Sequence, residues 1–67
     1  MPRHGKIVLP GKAPAVDCNV LDLSAGGACV DVHGHTAIPE RITFVHSGQK
    51  KASRVVWRKG RRMGLQF

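Results

Sequence analysis

Asp22, Ser24 and Gly27 are the residues of this chain whose types and spacing best suit chemistry. They stand in the run Asp22-Leu23-Ser24-Ala25-Gly26-Gly27, between two apolar sets, Val16, Cys18, Val20 and Ala28, Val30, Val32. A carboxylate accepts hydrogen bonds, a hydroxyl donates and accepts, and glycine admits positive φ and close backbone approach. At a corner between two strands these groups make a polar notch that suits the edge of guanine and a phosphate. The same residue types are the commonest turn formers, so the motif alone favours a satisfied turn over a ligand cradle.

Charge supplies the second chemical signal. The chain carries a net +7 over 67 residues, and the signs are segregated. Arg3, Lys6 and Lys12 come first, and then only acids, Asp17, Asp22, Asp31 and Glu40. Arg41, Lys50, Lys51, Arg54, Arg58, Lys59, Arg61 and Arg62 follow without an acid among them. Such a distribution favours a polyanionic partner, while any single Lys or Arg is better read as a solvated surface charge.

Other chemistries find little support. Cys18 and Cys29 lie inside apolar runs with no Cys-x-x-Cys or Cys/His ligand spacing, which argues against zinc. They are read as free thiols of a reducing compartment. His33 and His35 flank Gly34 without a third ligand and are read as loop residues. No nucleophile–base pair and no paired carboxylates occur at useful spacing, so the chain is not expected to be an enzyme or to hold a cofactor. It shows no leader and no long apolar segment, which predicts a cytoplasmic protein without membrane insertion.

Short apolar runs interrupted by Gly, Pro, Ser or charge clusters must position these groups. That pattern predicts a small all-β barrel or sandwich in a single domain covering 1–67, with 1–5 a flexible N-terminal segment. Strands are expected over 6–9, 16–23, 28–32, 41–46, 50–58 and 62–67. Ala13 and Pro14 belong to a turn after the first strand. Residues 37–40 read as a connector with one helical turn, because Pro39 suits a first helical position. Ile42 and Phe44 should face inward. In the last hairpin Val55 and Trp57 are expected on one face, opposite Arg54, Val56 and Arg58, with Trp57 in the core. Gly64 predicts a bulky neighbour over its bare backbone, and Trp57 is the candidate.

Two separated pieces then coincide. Asp22-Leu23-Ser24-Ala25-Gly26-Gly27-Ala28 is followed about thirty residues on by Arg54-Val55-Val56-Trp57-Arg58 and Lys59-Gly60-Arg61-Arg62-Met63-Gly64-Leu65-Gln66-Phe67. Together they resemble a PilZ domain, and the resemblance runs from near Gly5 to the end of the chain. It implies a six-stranded antiparallel β-barrel that binds the bacterial second messenger cyclic di-GMP. Asp22, Ser24 and Gly27 match the family's Asp/Asn-x-Ser-x-x-Gly motif. Its second motif, Arg-x-x-x-Arg ahead of the first strand, is incomplete: four residues after Arg3 stands Ile7. Arg3 and Lys6 are left to meet phosphate, and a lysine offers a point charge where an arginine offers a planar fork. Weak binding is expected, because each lost grip on a phosphate costs about 1.5–3 kcal/mol. The C-terminal helix common in the family is absent from these residues.

Three functions follow. The first is a cyclic di-GMP receptor using Arg3, Lys6, Asp22, Ser24 and Gly27. The second is a degenerate domain that has lost the nucleotide and acts as an adaptor, presenting Arg54, Arg58, Arg61 and Arg62 to an acidic protein partner. The third, the weakest, is a basic barrel that attracts nucleic acid through the same hairpin, with few aromatics for base stacking. The expected assembly is a monomer or weak homodimer.

Overall fold

Strict alternation of apolar and polar residues sends one set of side chains inward and the other outward. The computed structural model describes residues 3–11, 14–32 and 37–67. Six strands occupy them: β1 (Arg3–Val8), β2 (Val16–Ser24), β3 (Gly27–Val32), β4 (Arg41–His46), β5 (Gln49–Lys59) and β6 (Arg62–Gln66). They close into a barrel in the order β1-β2-β3-β6-β5-β4, with every neighbouring pair antiparallel. The all-β, six-stranded antiparallel barrel expected from the alternation is the fold observed, and no helix occurs among the described residues.

The interior is aliphatic. Ile7, Cys18, Val30 and Phe44 are the largest fully buried side chains, joined by Val16, Val20, Val32, Ile42, Val55, Met63 and Leu65. Each fully buried aliphatic or Phe side chain contributes about 1.5–3 kcal/mol, so this small core depends on nearly all of them. Two-residue turns join β4 to β5 (Ser47–Gly48) and β5 to β6 (Gly60–Arg61). Ser47 and Gly48 both have positive φ (53° and 77°), the backbone of a primed hairpin turn.

Three expectations change. Arg3 to Gly5 belong to β1 and pair with β2 rather than forming a loose segment. Residues 37–40 contain no helical turn; Ile38 instead drops into the core at 5% exposure, and its carbonyl accepts a hydrogen bond from Arg58. Trp57 is not in the core, for it is 45% exposed. The cause is a β-bulge: Val55 faces Leu65 and Trp57 faces Gly64, leaving Val56 without a partner. The unpaired residue shifts the alternation, so Trp57 joins Gly64 on the outer surface. A second bulge leaves Leu21 unpaired between Val20 and Asp22 on β2. Ala13 and the His33-Gly34-His35 run lie outside the described residues.

Candidate functional site

The two bulges flank the β3–β6 pair and shape the surface there. Register across four strands aligns Asp22 with Cys29, Cys29 with Gly64 and Gly64 with Trp57. All four belong to the outward-facing set, because Leu23, Ala28, Leu65 and Val55 beside them face the core. The Trp57 indole lies flat over Gly64: a β-carbon there would stand 2.0 Å from the indole nitrogen. Only glycine permits this seat. The sequence-based expectation that Trp57 covers Gly64 therefore holds, on the outer face.

Beside the ring opens a groove of about 300 Å³ lined by Asp22, Ser24, Gly26, Cys29, Val56 and Trp57, among others. The β2–β3 turn, Ala25–Gly26, forms one rim. Asp22 accepts a hydrogen bond from the Leu23 amide through one carboxylate oxygen (2.9 Å). The Ser24 hydroxyl donates to the Gly27 carbonyl (3.3 Å), leaving its lone pairs to accept from elsewhere. Both side chains are exposed. Gly26 faces open space, whereas a β-carbon on Gly27 would stand 2.2 Å from the Leu65 carbonyl oxygen. Gly27 thus serves the close approach of β3 to β6, and Gly26 is the glycine that leaves room for a ligand.

The remaining candidate residues scatter. Arg3 pairs with Val20, so its backbone sits one strand over and two residues from Asp22. Lys6 pairs with Asp17, seven residues before Ser24 on β2. That is about 23 Å along the strand, so Lys6 does not reach the corner. The basic hairpin is not acid-free in space. Arg54 pairs with Glu40 (3.2 Å) and Arg61 with Asp31 (3.4 Å), while Arg58 turns across the barrel end to the Ile38 carbonyl. Arg62 sits opposite Asp31 on β3, and no ion pair to it occurs among the described residues. Burial, with the neighbouring Asp17 charge, pushes the Cys18 thiol up to about 11; Cys29 sits on the groove wall.

No group of three His, Cys, Asp or Glu side chains able to hold a metal ion occurs among the described residues; His33 and His35 lie outside them. No helix among the described residues is long and apolar enough to cross a membrane. Reasoning from alternation missed Trp57 as a wall of the site. The available signal was Gly64, which alternates with the inward Met63 and Leu65, so a ring covering it must lie outside. No family model, no curated protein and no solved structure matches this chain.

Proposed function

We propose that the chain is a non-enzymatic, PilZ-type receptor that binds cyclic di-GMP at the β2–β3 corner. One observation carries the reading: the polar corner and an exposed indole line a single open groove. Guanine stacks on the free face of Trp57, an interaction worth about 1–3 kcal/mol per base. The Asp22 carboxylate accepts hydrogen bonds from the ring N–H and exocyclic amine at the guanine edge. Ser24 and the Gly26 backbone meet the ribose-phosphate. Affinity is low, because Lys6 is remote and the N-terminal arginine motif is incomplete, and salt lowers it further by screening the attraction of a chain of net charge +7 for the anionic ligand.

Trp57 is the single tryptophan of the chain, so stacking reads out directly in its fluorescence. Titration with cyclic di-GMP should quench that emission and release heat in calorimetry, and Asp22→Ala should weaken both responses at least tenfold. Unchanged fluorescence together with no heat at high micromolar protein would remove the receptor reading. A second reading, an adaptor without nucleotide, draws on the internal bonds that Asp22 and Ser24 already make, which satisfy the corner as a turn.

A further inference from the structure

The receptor reading leaves the phosphate charge of the ligand with Arg3 alone of the two N-terminal cations, since Lys6 stands at the wrong level of the barrel. Register around the outer surface supplies a further partner. Ser24 lies opposite Gly27, Gly27 opposite Gln66, Gln66 opposite Arg54, and Arg54 opposite Arg41. Arg54 is two strand spacings from Gly27, about 10 Å. Two arginines directly across a strand pair repel each other and destabilise the pairing. Glu40 offsets one of the two charges by meeting the Arg54 Nε at 3.2 Å, which leaves both Nη groups of Arg54 to other acceptors. The Arg41 side chain makes no hydrogen bond or ion pair among the described residues. Ala52, two residues before Arg54 on β5 and opposite Thr43, adds only a short side chain to the same stretch of surface. The result is an open cleft of about 350 Å³, lined by Arg41, Arg54, Ser53 and Gln66 together with the apolar Ile42, Ala52 and Phe67. Gln66 stands between this cleft and the Trp57 groove.

We propose that Arg41 and Arg54 form a phosphate subsite that takes the phosphodiester of the nucleotide whose base stacks on Trp57. This inference rests on the receptor reading. Two guanidinium forks suit a phosphate better than point charges do, because each presents parallel N–H donors to two oxygens. The subsite replaces, from the opposite side of the groove, the charge that Lys6 does not deliver. It also explains why two like charges face one another across β4 and β5.

The experiment compares the full chain with Arg41→Gln/Arg54→Gln and Arg41→Lys/Arg54→Lys. Calorimetry with cyclic di-GMP gives affinity, and ¹⁵N spectra of the arginine side chains with inorganic pyrophosphate report the cleft directly. The glutamine variant should lose at least tenfold in affinity for cyclic di-GMP and lose its dependence on salt, with Trp57 quenching still reached at saturation. The lysine variant should fall between it and the native chain. A thermal melt checks that both variants fold, as expected for exposed positions. Equal affinity in the native and glutamine chains overturns the subsite and leaves the receptor reading standing. If the native chain binds no cyclic di-GMP, the receptor reading fails and pyrophosphate alone decides. Shifts confined to Arg41 and Arg54 then sustain a phosphate site, and equal shifts at Arg62 and Lys59 overturn it.

Discussion

Two aromatic rings in this barrel each lie against a bare glycine, one inside and one outside. Phe44 is buried at 2% exposure, and its ring edge would stand 3.0 Å from a β-carbon on Gly5. Trp57 covers Gly64 on the outer surface and stays 45% exposed. Each pair has a thiol in register: Cys18 faces Gly5 and Cys29 faces Gly64. The inner group secures the fold by removing apolar area from water. The outer group leaves a large flat ring half in solvent, where it contributes less to folding and is available for recognition. The same local device thus serves two ends, and a single unpaired residue, Val56, decides which.

The strongest way to break the comparison is Phe44→Ala. Removing a buried Phe costs about 3–5 kcal/mol, which would leave a domain of this size largely unfolded in chemical denaturation. A loss below about 1 kcal/mol would mean that Phe44 does not organise the core.

The next effect belongs to Cys18. Its folded pKa is raised from the ordinary thiol value of 9.0 to about 11, chiefly by burial and then by Asp17. The folded chain therefore holds this proton more tightly than the unfolded chain. The corresponding stability is fully present below about pH 9 and disappears as pH rises toward 11. Denaturant midpoints at pH 8.5 and 10.5 should differ more for the native chain than for Cys18→Ala. Equal differences would show that other groups govern the alkaline limit.

Trp57→Ala should separate the two rings most clearly. Stability should drop by about 1 kcal/mol, since much of the ring is already in water. Affinity for cyclic di-GMP should fall by about 1–3 kcal/mol, the value of a base–aromatic stack. A large loss of stability with unchanged affinity would place Trp57 with Phe44 instead.

Gly64→Ala is a gentler probe of the same point. The added methyl must lift the indole, so tryptophan emission should shift to the red while stability falls by about 1 kcal/mol. The smallest effect is chemical: an alkylating reagent should modify Cys29 well before Cys18, and cyclic di-GMP should slow the modification of Cys29 alone.

The strands were legible because inward positions are mostly apolar and outward ones mostly polar, as in Val16, Cys18, Val20 against Asp17 and Asn19. The β4 boundaries, Arg41 and His46, coincide with the expected ones because charge and a Ser-Gly turn bracket an apolar core. The bulges were not legible. Nothing in the residue types of Leu21 or Val56 marks them as unpaired, so alternation counted from Val55 places Trp57 inside. The helical turn expected at Pro39 failed for another reason: burying Ile38 closes one end of the barrel, and an extended backbone delivers it there. For the site, Asp22, Ser24 and the adjoining glycines were legible from their types. The distance of Lys6 and the Arg41–Arg54 apposition depend on register around the closed sheet, which local sequence does not display.

The β3–β6 ladder joins strands that lie some thirty residues apart in the chain, and the row from Asp22 to Trp57 crosses that seam. Local hairpins such as β2–β3 and β5–β6 bring together only half of the row each. A chain emerging from the ribosome therefore has no groove until its last strand docks, and pairings of this separation form slowly. Any molecule held in the groove would act as a clasp across the seam, lowering the chance that the two hairpins drift apart.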